Sequence, residues 1–209
     1  MNVRRWISAI LVLGLLFGSN PGVKPTLAGS ALVVAGAAAG VEAGFVVADP
    51  LLLLPLDEPN GSTSFVDVSG QGHHGSCTGD SCPSAGETSP YGLSLSFDGV
   101  DDQVVTTLVI DQSATSPGVT MMAWVRPTSV STGRHHVLST EDGLWDWSLV
   151  HNAATWEVFT GDAAHSTGFG VDLNTWQHVA AVFDPAAGEV RFYKNGVEAV
   201  IHLAAESHV

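Results

Sequence analysis

The sequence has few basic residues. It contains 7 Lys and Arg against 21 Asp and Glu, which gives a formal net charge of −14 at pH 7. The basic residues that follow Ala48 are Arg126, Arg134, Arg191 and Lys194. A surface of this charge repels nucleic-acid phosphates and anionic lipid headgroups. The composition therefore argues against nucleic acid and membrane surfaces as partners, and favours cations and neutral ligands.

The sequence also lacks the short motifs of several enzyme classes. It has no Gly-x-Ser-x-Gly nucleophile elbow, no phosphate-binding loop and no HExxH zinc motif. Glu58 and Glu157 stand isolated, so no obvious pair of carboxylates is available for acid–base chemistry at a glycosidic bond. We therefore expect no catalytic residues and a protein that binds rather than converts its ligand.

Cysteine is scarce, with Cys77 and Cys82 standing in the short run CTGDSC. In an exported protein such a pair is typical of a small disulfide loop. The alternative is a zinc site that also uses His73 and His74, but no further residues complete the spacing of a zinc finger. We expect a disulfide between Cys77 and Cys82.

Residues 1–28 are typical of a secretory signal peptide. Arg4 and Arg5 precede an apolar run over residues 7–17, and small residues suited to cleavage follow at Thr26-Leu27-Ala28. The alternative is a membrane anchor, but the apolar run is well short of the ~20 residues that a spanning helix needs. This arrangement predicts export.

Two further segments follow the predicted signal peptide. Residues 29–48 form a low-complexity lead-in, rich in Gly and Ala, that carries a single charged residue. Residues 49–209 hold the patterned part of the chain, and we expect them to form one domain that is secreted or exposed on the cell surface, without membrane insertion.

Helical periodicity is nearly absent after Asp49, whereas short segments of alternating apolar and polar residues recur. Residues 93–97 alternate with period two, as in a strand with one buried face. Asn195-Gly196 stands between two strand-like segments and is typical of a hairpin turn. Many short strands at regular spacing predict an all-β fold with antiparallel strands, either a two-sheet β-sandwich or a barrel.

Three carboxylates crowd the turn after residues 93–97, at Asp98, Asp101 and Asp102, with Gly99 between them. Like charges this close repel one another, so solvent, backbone N–H groups or a hard cation must offset the repulsion. Ca²⁺ takes six to eight oxygen ligands and tolerates irregular geometry. The turn is therefore a candidate calcium site, and the alternative is a set of solvated turn residues in which Asp98 caps backbone N–H groups.

The tryptophans fall into two groups. Trp124 and Trp176 lie in apolar strand segments, and we expect both in the core. Trp145 and Trp147 flank Asp146, and both indoles would project to one side of an extended segment. Exposed rings beside a carboxylate suit stacking against a sugar, so Trp145, Asp146 and Trp147 are the candidate ligand-binding residues. The alternative is that one of these indoles covers the edge of the sandwich.

Taken in order along the chain, five segments resemble the laminin-G-like, concanavalin A-like lectin/glucanase jelly-roll domains of bacterial secreted proteins. The segments are 56–76 (LDEPNGSTSFVDVSGQGHHGS), 93–105 (LSLSFDGVDDQVV), 119–129 (VTMMAWVRPTS), 174–184 (NTWQHVAAVFD) and 190–197 (VRFYKNGV). Each motif alone is weak, and their order makes the resemblance specific.

The resemblance implies a sandwich of two antiparallel sheets, a structural calcium ion and a role in binding glycans or other surface ligands. Asp67, with the glycine-rich loop that follows it, becomes a second candidate for the metal. Glucanases of this fold place three acids on one strand face, and residues 141–146 lack the third. Relatives continue past the hairpin into closing strands, so we expect the domain to be C-terminally incomplete, with further domains in a longer parent protein.

Together these observations predict a secreted or cell-surface binding module for carbohydrate or another surface ligand. The first alternative is a structural or adhesive segment of a larger envelope protein. The second is an accessory domain of a glycoside hydrolase.

Overall fold

The computed structural model describes residues 5–8, 11–13, 16–17, 46–47, 50–89, 91–110, 118–140, 147–161, 163–184 and 187–203. In these ranges the chain forms antiparallel strands and one 3₁₀ turn at Gly79–Ser81, with no α-helix, which confirms the all-β prediction. The strands are β1 Arg5–Ser8, β2 Leu11–Leu13, β3 Leu16–Phe17, β4 Val46–Val47, β5 Leu52–Leu54, β6 Ser64–Phe65, β7 Gly75–Ser76, β8 Ser84–Ser89, β9 Gly92–Phe97, β10 Val119–Arg126, β11 Arg134–Ser139, β12 Trp147–Asn152, β13 Thr155–Thr160, β14 Ala164–Gly170, β15 Gln177–Asp184, β16 Glu189–Lys194 and β17 Val197–His202.

Two main sheets form the sandwich. The larger has seven strands in the order β17-β16-β15-β10-β1-β9-β8, and the smaller has four in the order β11-β12-β13-β14. Two-stranded ladders join β2 to β5, β3 to β4 and β6 to β7. The predicted two-sheet architecture of the concanavalin A-like type is therefore observed.

The core lies between the two main sheets because each strand turns its alternate residues inward. On β10 the inward residues are Val119, Met121, Ala123 and Val125, all at most 2% exposed. Two aromatic pairs cross the gap between the sheets. Trp147 of β12 stacks on Phe183 of β15 with ring centroids 5.2 Å apart, and Trp156 of β13 lies 6.3 Å from Phe192 of β16.

One strand of the larger sheet comes from the region that the sequence analysis assigns to a signal peptide. β1 lies between β9 and β10 and pairs antiparallel with both. Ile7, for example, is opposite Val125 on one side and Leu95 on the other. The backbone groups that β9 and β10 turn toward each other are therefore bridged by residues 5–8.

Two expectations for the core were wrong. Trp124 and Trp176 are only half-buried. Trp124 lies on β10 opposite the face that carries Ala123 and Val125, so its ring points away from the space between the sheets. Both faces of this segment are apolar, and the alternation alone did not distinguish the inward one.

Local turn chemistry was predicted more reliably. β16 and β17 form the expected hairpin, and Asn195 and Gly196 adopt φ angles of 49° and 80°. Both positions need positive φ, which Asn and Gly tolerate better than other residues. Strands β8 and β14 were not predicted, because their sequences mix Gly, Ser, Thr and Ala without a clear alternation.

The Trp147 side chain should be essential to the stability of the sandwich. Because its indole is fully buried against Phe183, Trp147→Ala removes a large side chain from between the sheets, and we expect unfolding to become easier by ~3–5 kcal/mol. Urea denaturation measures this change. Leu173→Ala is the control, since Leu173 is 42% exposed and its truncation should cost no more than ~0.5 kcal/mol. Equal stability of the Trp147 variant and the wild type would contradict the inter-sheet packing.

Candidate functional site

The acid turn, comprising Asp98, Asp101 and Asp102, follows the end of β9. One carboxylate oxygen from each of the three residues lies within 4.8 Å of the others. Asp101 is exposed, and the other two are half-buried. The turn therefore brings the three predicted carboxylates together in a group that could hold a cation. Among the described residues, no other group of three or more His, Cys, Asp or Glu side chains lies this close together.

Hydrogen bonds within the acid turn fix the direction of the carboxylates. The Val100 N–H donates to Asp98 Oδ1 at 2.8 Å, and the Asp98 N–H donates to Asp102 Oδ2 at 2.6 Å. Gly99 adopts a φ of 77°, which L side chains rarely adopt. The turn is thus closed by hydrogen bonds from its own backbone N–H groups to the carboxylates of Asp98 and Asp102.

The acid turn is also tied to the cysteine loop. Cys77 and Cys82 form a disulfide with Cα atoms 5.1 Å apart, which confirms the predicted pairing. Inside that loop, the Ser81 hydroxyl donates to Asp101 Oδ2 at 3.1 Å, and the Ser81 carbonyl accepts from the Gln103 N–H at 3.0 Å. The disulfide therefore restrains Ser81, which is bonded to Asp101 in the acid turn and to Gln103, the residue after Asp102.

Electrostatics in the acid turn disfavour a fully charged state. Burial raises the pKa of the Asp102 carboxyl, and repulsion from the carboxylates of Asp98 and Asp101 raises it further, although the hydrogen bond from the Asp98 N–H acts in the opposite direction. A bound divalent cation would relieve both the desolvation and the repulsion. The acid turn therefore offers carboxylate ligands to a divalent cation.

Asp67 has a different environment. It is 5% exposed, and its carboxylate accepts three backbone hydrogen bonds: Oδ1 from the N–H groups of Leu53 at 3.0 Å and Ser69 at 2.9 Å, and Oδ2 from the His73 N–H at 2.8 Å. The Asp67 N–H in turn donates to Nδ1 of His74 at 3.0 Å. The carboxylate thus holds the glycine-rich loop against β5.

The pKa of Asp67 reflects this arrangement. Burial alone would raise it, but the hydrogen bonds from Ser69 and from the backbone N–H groups of Leu53 and His73 outweigh burial and lower the pKa to about 2. Both carboxylate oxygens are already engaged with N–H donors, which a metal ion would have to displace. The Asp67 carboxylate therefore stabilises the folded loop through hydrogen bonds, and its assignment as a metal ligand stays a prediction.

One residue of the predicted ligand platform, Trp147, is buried. Trp147 is 0% exposed, because β12 turns its ring inward onto Phe183, and a fully buried indole presents no face to a ligand. The expectation of an exposed ring at Trp147 was therefore wrong. Trp145 and Asp146 lie outside the described residues, and their assignment as ligand-binding residues stays a prediction.

The structure reveals an aromatic cluster that the sequence analysis did not assign. Trp124 of β10 contacts Tyr91, which precedes β9, with ring centroids 4.8 Å apart, and His178 of β15, with centroids 5.5 Å apart. A sequence signal existed for one member. Trp124 alternates with a run of apolar residues, so it had to face away from whichever side those residues pack on. The contact with Tyr91 depends on tertiary structure and left no such signal.

Comparison with known families agrees with this architecture. Residues 98–203, about half of the chain, match the model of the concanavalin A-like lectin/glucanases superfamily. The chain belongs to this superfamily. The match begins at Asp98, so the acid turn is its first element, and the earlier strands of the sandwich lie outside it. Neither the curated proteins nor the solved structures returned a match.

Membership of the concanavalin A-like superfamily suggests a binding module. The disulfide between Cys77 and Cys82 and the sandwich fold are both typical of extracellular domains. A search of the described residues for a helix long and apolar enough to cross a membrane found none.

The Asp67 carboxylate should make stability depend on pH in a defined window. Its pKa is near 3.8 when unperturbed and about 2 in the folded protein, so its contribution is complete above about pH 5 and is lost as pH falls through 2. We expect Asp67→Asn to lower the unfolding free energy at pH 7 by ~2 kcal/mol, and the difference from the wild type to close toward pH 2. Urea denaturation between pH 2 and 7 tests this.

The matched control for this measurement is Asp57→Asn, since Asp57 is exposed in the neighbouring turn. This variant should follow the wild type across the range. A difference for Asp67→Asn that is equally large at pH 2 and pH 7 would show that the side chain stabilises by shape rather than by charge.

Proposed function

We propose that this protein is a secreted or cell-surface binding module for carbohydrate or another surface ligand, without catalytic activity, and that it uses a structural calcium ion. The match to the concanavalin A-like lectin/glucanases superfamily is the observation that carries the proposal. The disulfide and the sandwich fold support an extracellular location, and the signal-like N-terminus supports export. The net charge of −14 favours a neutral ligand over an anionic one.

The acid turn supports the calcium part of the proposal. Ca²⁺ prefers carboxylate and carbonyl oxygens, and the three carboxylates supply part of its six to eight ligands, with water and carbonyl oxygens completing the shell. The pKa of Asp102 is raised by burial and by the neighbouring carboxylates, and this direction supports a role for a counter-charge at the turn. Asp98, Asp101 and Asp102 would hold the ion, which would supply that counter-charge.

The location of the acid turn favours a structural role for this ion. The turn follows the last residue of β9, Phe97, and the cysteine loop is held against it through Ser81. A cation here would bind the folded turn and not the unfolded chain, and would fix the rim of the sandwich at the disulfide. We therefore expect calcium to act on stability first.

Calcium should raise the melting temperature, and a chelator should lower it. The ion stabilises the folded state by RT ln(1 + [Ca²⁺]/Kd), or ~2.7 kcal/mol at a hundredfold excess over Kd. Scanning calorimetry with calcium and with EDTA measures the response. In Asp101→Asn, which removes a carboxylate from the exposed side of the turn, the response should shrink, and in Asp57→Asn it should not. An identical melting temperature with calcium and with EDTA in the wild type would contradict calcium binding and indicate that the carboxylates of the acid turn are only solvated turn residues.

The binding function itself is tested on a glycan array with the disulfide-bonded protein. We expect binding to a subset of neutral glycans in the presence of calcium. A polysaccharide panel assayed for reducing sugar serves as the control for hydrolysis and should show no release. Absence of binding to every glycan would contradict the carbohydrate assignment and favour a structural or adhesive role, whereas release of reducing sugar would overturn the non-catalytic assignment.

A further inference from the structure

We propose that the ligand site is the aromatic cluster of Tyr91, Trp124 and His178 on the outward face of the seven-stranded sheet, and that it takes a neutral oligosaccharide. This inference rests on the proposed carbohydrate function and adds to it the site and the ligand class. It also moves the site away from the segment around Trp147, which the fold buries.

The register of the strands places the cluster on the outward face. Trp124 of β10 and His178 of β15 are direct partners across the ladder, so their side chains project to the same side of the sheet. Their neighbours in the chain, Ala123 and Val179, are fully buried on the inward side. Trp124 and His178 therefore project away from the core, and Tyr91 reaches the same face from the turn before β9.

The three rings form a continuous strip. The Tyr91 and Trp124 rings are tilted by 44° with centroids 4.8 Å apart, and the His178 ring meets Trp124 edge-on with centroids 5.5 Å apart. Tyr91 is 51% exposed, and the other two residues are half-buried. The strip thus has an exposed end at Tyr91 and continues across the outward face over Trp124 to His178, with a length that suits a short oligosaccharide rather than a single small group.

A purely structural role explains the strip poorly. The hydrophobic core is filled from the other side of β10 by Met121, Ala123 and Val125, so the sandwich does not need Trp124 for its interior. Large aromatic side chains with an apolar ring and a polar edge are enriched where one side of a residue contacts a ligand or partner and the other stays wet. Trp124 and Tyr91 both meet this description.

The charge of the strip favours a neutral sugar. Burial lowers the pKa of His178, which favours its neutral imidazole. The nearest basic residue on the same strand, Arg126, donates from Nε to the Asn174 carbonyl at 3.2 Å. An anionic ligand would therefore meet an uncharged strip on a strongly acidic protein, whereas the apolar face of a neutral sugar ring can stack on the rings and its hydroxyls can bond to their polar edges.

The acid turn lies at the opposite end of β9 from Tyr91. Because six residues separate them along a strand, the two are roughly 20 Å apart. The proposed calcium ion therefore does not touch the ligand in this arrangement, and sugar affinity should be unaffected by Asp101→Asn as long as the protein is folded. This separates the two sites experimentally.

The test measures affinity for a panel of neutral gluco-, manno-, galacto- and xylo-oligosaccharides, with sialylated and sulfated oligosaccharides as the anionic arm. For the best neutral probe, calorimetric titration should show that Tyr91→Ala weakens binding about tenfold, or ~1.4 kcal/mol. Its melting temperature should change by less than ~2 °C, because Tyr91 is exposed. Tyr91→Phe should retain most of the affinity if the ring face is what the sugar contacts.

Trp124→Phe keeps an aromatic ring in the strip and guards against misfolding of an alanine variant. We expect it to weaken binding several-fold. Two matched controls lie away from the strip: Leu173→Ala, an exposed apolar residue, and His202→Ala, an exposed histidine on β17. Both should bind like the wild type.

The outcomes distinguish this inference from the proposed function. If the wild type binds no oligosaccharide, the proposed carbohydrate function fails. If the wild type binds but Tyr91→Ala and Trp124→Phe bind equally well, the function stands and the site is elsewhere. Binding confined to the anionic arm overturns the neutral ligand class. Concentration-dependent dimerisation that Tyr91→Ala abolishes, without sugar binding, would make the strip a contact between two copies of the chain.

Discussion

The buried contact between Trp147 and Phe183 is the interaction on which the rest of the structure depends, together with the parallel contact between Trp156 and Phe192. These pairs join the four-stranded sheet to the seven-stranded one across the hydrophobic core. The Trp156 indole N–H also donates to the Gln177 side chain at 3.0 Å, so one of the two tryptophans is oriented by a buried hydrogen bond. Because the indole rings of Trp147 and Trp156 are both fully buried in the core, neither can contact a ligand.

The features that could be predicted from the sequence are those that depend on local geometry. The period-two alternation of residues 93–97 and the Asn195-Gly196 turn depend on local geometry, and both were read correctly. The spacing of Cys77 and Cys82 likewise limited the pairing to a short loop. The acid turn was also predictable, since Asp98, Asp101 and Asp102 are close in sequence and a glycine allows the chain to reverse between them.

Other features could not be inferred because they depend on contacts between distant segments. Trp124 was expected in the core and Trp147 was a candidate for an exposed ring, but Trp124 is half-buried on the outer face and Trp147 is fully buried. Each tryptophan lies among apolar residues, and the choice of face is decided by the volume that the opposite sheet leaves free. The role of Asp67 was similarly hidden, because one of its three N–H donors, Leu53, is remote in sequence.

β1 lies within residues 1–28, which we propose as an export signal, and it also forms part of the seven-stranded sheet. An export signal must be accessible to the export machinery, whereas residues 5–8 in the sheet are hydrogen-bonded on both edges by β9 and β10. The order of events then matters. A chain that is processed before it folds would have an open seam between β9 and β10, and a seam of unpaired backbone recruits another strand. If residues 1–28 act as the proposed signal, a chain that folds first would cover part of that signal, so the timing of folding relative to export would determine whether the sandwich contains β1.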